Sequence, residues 1–457
     1  MKKLENGLFI FRRDLRIIDN KGLNYISEMC NHVYTIFIFT PEQIGPNNKY
    51  KSDNSVQFMI ESLENLSHMI KQKRGHLYTF YGENEKVISD CIRSLNIDLI
   101  VFNLDITPYA TQRDNKIIKL CKSMDIEVNY QHDYYLHPPG TIKNSSGKPY
   151  QKFTPYYLVS SKMKVEEPSK YKQISFKTTN VNLHNKITLD QAMKRFTTIN
   201  SHILVHGGRN EAIKQLLYSK RKQTNYTKTH NDLDKSTTQL SAYIKFGCIS
   251  IREVYKTLRT NKDIIRQLFW RDFYANILYE FPYVLGHSMK PNYDKIKWEN
   301  NPTLFKKWCE GKTGFPIVDA GMRQLNTTGY MHNRARLIVA SFLIKTLLID
   351  WRKGEKYFAS KLTDYDPASN NLNWQWCASS AVDSQPYFRI FNPWRQTETY
   401  DPDCVYIKTW VPELRDIPIK TILKWDTEHT NTTIDYPKPI VNYEDQKEKI
   451  LHIYKKI

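Results

Sequence analysis

The sequence predicts an N-terminal α/β domain built on a doubly wound parallel sheet, a long linker, and an all-α C-terminal domain. Three observations predict it. Short apolar runs alternate with amphipathic stretches over the first 135 residues. A segment rich in Pro, Gly, Ser and Lys follows. From about residue 201 onward the apolar spacing is mostly helical. At 457 residues the chain is long enough for two cores.

The elements follow in order. LFIF (8–11), VYTIFIF (33–39), HLYTFYG (76–82) and IDLIVFN (97–103) read as buried parallel strands. Between the second and third, Val56, Met59, Ile60, Leu63, Leu66 and Ile70 fall on one face of a helix. Strand, helix and strand repeated in this way give a doubly wound sheet over 1–135. No GxGxxG follows the first strand, so a standard dinucleotide site there is unsupported. Residues 136–200, including LHPPGTIKNSSGKPYQKFTPYY, read as a connector running over the surface. Residues 201–457 form the helical domain. There GFPIVDAGMRQLNTTG and MHNRARLIVASFLIKTLLIDW are helical, with Gly314 and Gly329 marking helix ends.

Composition narrows the function. Hydrophobic content of 40% with 25% charged residues describes a soluble globular protein. A net charge of +20 costs stability by self-repulsion, and an anionic partner such as nucleic acid would explain it. Codon usage of an AT-rich genome would also enrich Lys, Asn and Ile. Seven scattered cysteines without a CxxC predict a reducing compartment, no disulfide frame and no metal site. No apolar run is long enough for a membrane span, and MKKLENGLFIF does not read as a signal peptide. The expected setting is soluble and intracellular, wherever the partner lies.

Several stretches could carry chemistry. In DYDPASNNLNWQW (364–376), two carboxylates, two amides and two indoles crowd into thirteen residues. Asn333, Arg334 and Arg336 open a mostly apolar helix, where a buried arginine needs a carboxylate. The aspartates of DYD are candidates, in a functional pair or an ordinary interhelical one. Thr237, Thr238 and Ser241 stand at a predicted helix start, which suits phosphate binding or simple capping. QLFWRDFY (267–274) and SQPYFRIFNPWRQ (384–396) interleave Arg with aromatics. That mixture suits stacked bases and phosphates, or a helical core with snorkelling arginines.

Together these stretches resemble the photolyase/cryptochrome flavoproteins. The motifs TTQLSAYIKFGCIS, FWRDFY, GKTGFPIVDAGMRQLNTTGYMHNRARLIVASFL, DWRKGEKYF and NWQWCASSAVDSQPYFRIFNP occur in the family's order. The resemblance extends from FIFRRDLRIIDN to YIKTWVPELRDIP and is nearest to class I enzymes, which split cyclobutane pyrimidine dimers. It implies FAD in the helical domain, UV-damaged DNA as partner, and a monomer. By this resemblance Tyr226, Thr237, Thr238, Leu240, Ser241 and Arg271 hold the FAD phosphates and ribose. Arg336 pairs with Asp364 beside the flavin, Asp366 faces its ring system, and Asn370 stands near flavin N5. Trp374, Trp351 and Trp298 align with an electron-transfer chain. Trp270, Trp376, Asn333, Leu337 and Gln267 line the lesion cavity, and Arg334 and Arg389 reach DNA phosphates.

Three departures from the family pattern bear on specificity. Gln267 replaces the glutamate usual in dimer-specific members, as in the (6-4) branch, but neither Asn333 nor Leu337 is the histidine that branch needs. His230 replaces an arginine that touches phosphate. Ala110 stands where a folate-holding carboxylate is expected, so a second antenna chromophore could be a folate, a deazaflavin, another flavin or nothing. The alternative activity within the resemblance is a blue-light photoreceptor of cryptochrome type. Retention of Trp270, Asn333, Trp376 and Arg389 argues for repair.

Overall fold

The structure, a computed structural model, describes residues 3–179, 183–384 and 386–457. The chain divides into two compact units. The first comprises residues 1–200, 205–224 and 238–282, and the second 201–204, 225–237 and 283–457.

Five parallel strands organise the first unit: β1 Leu4–Phe11, β2 Cys30–Phe39, β3 Leu77–Tyr81, β4 Leu99–Asn103 and β5 Glu127–Gln131, in the order β3-β2-β1-β4-β5. Leu8, Ile10, Tyr34, Ile36, Tyr78, Phe80, Ile100 and Phe102 alternate along the strands. They form one buried face with Val87, Ile88, Cys91, Ile117 and Cys121 of helices Asn84–Leu95 and Pro108–Ser123. Helix Lys21–Met29 packs close against β1 at Gly7, where a Cβ would fall 2.6 Å from Ile26 Cγ1. In helix Asp53–Gln72 the predicted apolar face is buried at Val56, Ile60, Leu63, Leu66 and Ile70, while Met59 is half-buried. The parallel α/β reading therefore holds, with one strand added. EVNYQ alternates polar and apolar residues at the sheet edge and lacks the continuous apolar run of the inner strands.

The direction of winding reverses between β1 and β4. Buried charges gather just beyond their carboxyl ends, where open α/β sheets place ligands. Arg13 binds both oxygens of Asp105 at 3.0 Å. Arg12 lies 2.7 Å from Asp114 and 4.1 Å over the Phe102 ring. Burial, reinforced by Arg113, pulls the Arg12 guanidinium down to about 10. Arg12 Nη2 and Arg113 Nη2 are buried without hydrogen-bond partners.

Among the described residues of 136–200 lie two short helices, Phe153–Ser160 and Leu189–Phe196. The first unit also contains the long, largely buried helix Lys262–Glu280.

The second unit is helical around one large core that includes Trp308, Trp351, Trp374 and Trp425. GFPIVDAGMRQLNTTG forms helix Pro316–Thr328, closed by Gly329 at φ 67° as its spacing predicts. The stretch expected as one helix over 331–351 is broken. Helix Asn333–Ser341 passes into a π-helical turn, Phe342–Thr346, and a new helix, Trp351–Lys361, begins beyond Leu348 at φ 54°. Among the described residues no helix is long and apolar enough to cross a membrane, and no group of His, Cys, Asp or Glu is arranged to hold a metal ion.

Candidate functional site

In the second unit the site is built around helix Pro367–Cys377. Pro367 stands at its first position and Asp366 caps it, accepting from the Ser369 backbone N–H at 3.0 Å. Successive residues turn about 100°, so Asn370 and Trp374 share a face while Trp376 points elsewhere. Burial agrees: Trp374 is 2% exposed, whereas Trp376 is half-buried. Trp374 meets Phe358 edge-on at 4.9 Å and Trp308 at 6.2 Å. Helix Trp351–Lys361 approaches it through Gly354, where a Cβ would lie 2.2 Å from Trp374 Cη2. Asn370 Nδ2 donates to Glu355 Oε1 at 2.9 Å and to the Glu355 carbonyl at 3.2 Å. On the opposite side Gln375 is fully buried. It donates to the carbonyls of Val284 and His287 and to Asn371 Oδ1, and accepts from the Met289 N–H. These bonds fix the rotation of the helix, and with it which indole is buried.

Arg336 and Asp364 form the expected pair. Arg336 Nη2 lies 2.9 and 3.2 Å from the two carboxylate oxygens, and its Nε donates to the Met331 carbonyl at 2.9 Å. Burial opposes the guanidinium charge, but Asp364 and Tyr330 outweigh it, so the pKa rises. Tyr330 links this pair to the predicted phosphate-binding segment, its hydroxyl lying 3.1 Å from Thr237 Oγ1. Tyr226 stacks on His230 at 5.0 Å.

Helix Asn333–Ser341 starts at His332, whose Nδ1 accepts from the Arg334 backbone N–H at 3.2 Å. That bond leaves the ring hydrogen on Nε2, which is buried without a partner. Burial, then Arg336 and Arg334, push His332 down to about 4, so the ring is neutral. Asn333 is exposed and Leu337, one turn on, is half-buried on the same side. Arg334 donates to Asn231 Oδ1 at 2.6 Å and lies over the Tyr400 ring at 4.3 Å. Trp351 is buried at a helix start, with Arg352 over its ring at 4.8 Å. Trp298 is half-buried against the same core. Arg389 is exposed on the loop after the helix; Gln385, within the 384–396 motif, lies outside the described residues.

Thr238, Leu240, Ser241, Gln267, Trp270 and Arg271 belong to the first unit, and Thr237 to the second. Thr237 and Thr238 do not start a helix. The helix is Ser241–Lys245, Leu240 precedes it buried, and no side chain caps it. The Thr238 carbonyl accepts from Gln215 Nε2 at 2.9 Å and from Ser219 Oγ at 3.2 Å. Helix Lys262–Glu280 presents Gln267 to solvent. Trp270 is stacked on Phe153 at 3.7 Å and tilted against Tyr274 at 5.4 Å. Arg271 donates to the Tyr134 carbonyl at 2.7 Å and covers the Tyr135 ring at 4.6 Å, while its Nη2 is buried without a partner. Each unit thus holds a buried, unpaired donor, the Arg271 guanidinium nitrogen in the first and the His332 imidazole N–H in the second, and each suits a hydrogen-bond acceptor. Sequence reasoning missed Glu355, Tyr330, Gly354 and Trp308, and no local signal marks them.

Residues 264–456 match the FAD binding domain of DNA photolyase, and residues 8–172 match the DNA photolyase family. A deoxyribodipyrimidine photo-lyase of Buchnera aphidicola is 36% identical over 98% of both chains. The chain belongs to the DNA photolyase family. Among solved structures, an archaeal photolyase from Sulfolobus tokodaii with two FAD molecules is 42% identical. It superposes with a TM-score of 0.90 over 99% of this chain and 100% of that one. A class III photolyase from Agrobacterium tumefaciens is 30% identical, with a TM-score of 0.91 over 100% of this chain and 98% of that one. The chain is thus a photolyase-family enzyme with FAD as its cofactor.

Proposed function

We propose that the protein repairs cyclobutane pyrimidine dimers in DNA under blue light, acting as a monomer on a flipped-out lesion. The observation that carries this reading is the helix Pro367–Cys377, which offers Asn370 and Trp374 on one side and Trp376 on another. One helix then serves both a flavin and a flipped-out dimer. In this reading Tyr226, Thr237, Thr238, Leu240, Ser241, Arg271, Arg336, Asp364, Asp366 and Asn370 hold FAD in the helical domain, residues 201–457. Bound FAD supplies the light-driven electron.

The protein's part is positioning and electrostatics. Arg336 pairs with Asp364 beside the cofactor and holds its own charge there. Asn370, tethered to Glu355, fixes an amide for hydrogen bonding to the ring system. Trp374, Trp351 and Trp298 relay a hole from the buried core to the half-exposed edge. Trp270, Trp376, Asn333, Leu337 and Gln267 receive the lesion, and Arg334 and Arg389 hold the flanking phosphates. The buried Arg12 and Arg113 nitrogens fit the anionic part of a second, light-gathering chromophore in the domain 1–135. The test is loss of dimers from UV-irradiated DNA under blue light against a dark control. Unchanged dimer content with a normally photoreducible flavin would favour a photoreceptor instead.

A further inference from the structure

Lys345 lies in the π-helical turn Phe342–Thr346 and is 2% exposed. A buried ammonium ordinarily pairs with a carboxylate. Among the described residues Lys345 has none. Its three N–H groups go to three neutral oxygens: Ser379 Oγ at 3.2 Å, the Tyr387 carbonyl at 3.3 Å and the Arg389 carbonyl at 2.9 Å. The Tyr454 ring lies 5.9 Å from Nζ.

These acceptors come from both ends of one excursion. Ser379, at φ 62°, turns the chain out of the helix that carries Trp376. Tyr387 and Arg389 lie where it returns. Lys345 therefore gathers Ser379, Tyr387 and Arg389 on a single atom. Neighbours brace the same loop. Lys290 donates its backbone N–H to the Ser380 carbonyl at 3.0 Å and its Nζ to the Ser379 carbonyl at 3.3 Å. Tyr454, from helix Tyr443–Lys455, donates to the Ala378 carbonyl at 2.8 Å and stacks on Tyr387 at 5.9 Å. Held this way, the loop leaves Phe388 61% exposed and Arg389 exposed.

We propose that Lys345 is a positioning residue for DNA binding: it ties Ser379, at the end of the helix carrying Trp376, to Tyr387 and Arg389, so that Arg389 stands at a fixed spacing from Trp376 against the damaged strand. This rests on the DNA-repair reading. An ammonium has three donors for the three acceptors; a neutral amine has two and leaves one acceptor unmatched. Burial lowers Lys345 to about 8, so the third donor and the charge are lost together in mildly alkaline solution. Cys377 and Tyr454 face it, and burial pushes both up, the thiol to about 12. Both are neutral across that range. Lys290 shares the loop and is also lowered by burial. Because the folded state gives up the Lys345 proton first, this group makes the fold more stable, not less, as pH climbs from about 8 toward 10.5. Loop placement and global stability therefore move in opposite directions with pH.

The experiment measures affinity of the FAD-loaded enzyme for a dimer-containing oligonucleotide between pH 7 and 9.5, with thermal unfolding and flavin photoreduction in parallel. Wild-type affinity should fall through pH about 8 while the Lys345 contribution to the unfolding temperature, read as the difference from Lys345→Met, rises. Lys345→Met should weaken binding about tenfold at pH 7, flatten the pH profile and leave photoreduction intact. Ser379→Ala, which removes one of the three acceptors, should give a smaller loss and serves if Lys345→Met fails to fold. A wild-type affinity flat across the range would overturn the proposal. So would a pH profile that persists in Lys345→Met, which would assign it to Lys290. A wild-type enzyme that neither binds nor repairs damaged DNA would instead overturn the functional reading beneath it.

Discussion

Arg336 Nη2 reaches both carboxylate oxygens of Asp364, at 2.9 and 3.2 Å, and the carboxylate is 6% exposed against 25% for the guanidinium. The pair is therefore lopsided: the anion is enclosed and the cation reaches outward. Removing the anion leaves an uncompensated charge at the edge of the core. Asp364→Ala should cost about 3 kcal/mol of stability, the lower end of the buried-pair range because Arg336 retains some solvent. It should also lower flavin content. Thermal unfolding and flavin absorbance of the purified variant measure both, and full flavin content would remove Asp364 from the cofactor site.

The tryptophan assignment separates two processes. Trp351→Phe should slow photoreduction of oxidised FAD strongly, because it removes the middle indole between Trp374 and Trp298. Dimer repair by enzyme reduced chemically beforehand should persist. Steady illumination followed by absorbance gives the first, and chromatography of a dimer oligonucleotide gives the second. Photoreduction at the wild-type rate would refute the assignment.

Gln267 gives a prediction about lesion choice. It is exposed on helix Lys262–Glu280, and its amide cannot supply the charge-assisted bond of a carboxylate. That difference is worth about 1 kcal/mol. Gln267→Glu should hold or raise the yield of dimer splitting, and neither form should reverse (6-4) products, since no histidine occupies 333 or 337. Paired oligonucleotides carrying each lesion decide it; efficient (6-4) reversal with inert dimers would reassign the enzyme.

Asp272 gives a prediction about pH. Its carboxylate accepts from the backbone N–H groups of Leu136 and His137 at 2.8 and 3.2 Å, and burial pushes it up to about 7. A carboxyl raised in the folded state contributes stability that is present below its unfolded value of 3.8 and lost as pH rises through about 7. Wild-type unfolding free energy should carry this downward slope between pH 4 and 7, up to about 4 kcal/mol in total. Asp272→Asn should flatten it. Denaturant titrations at several pH values read the difference, and identical slopes would mean the group is not held neutral.

How much of this could be read from the chain depends on whether the cause is local. The first four strands announce themselves because their residues are buried nearly throughout, edge strand β3 included, whereas β5 is exposed or half-buried along its length and shows no apolar run. That Trp374 and Trp376 lie on different faces follows from helical geometry alone. The break at Phe342–Thr346 does not, because an apolar run reads the same in an α-helical or a π-helical turn. Nor do partners such as Glu355 for Asn370 or Tyr330 for Thr237. Those contacts join residues 15 and 93 positions apart, and packing rather than spacing selects them.

Gly354 has its importance in what it lacks. The smallest side chain there would collide with the Trp374 indole at 2.2 Å and with Leu343 at 2.5 Å. In a saturation library, position 354 should be depleted as heavily as any residue that handles flavin or DNA, although it offers neither a single functional atom. Intolerance to substitution in this enzyme therefore marks two populations, the residues that do something and the gaps that let them stand where they do. A functional map drawn from tolerance alone would merge the two.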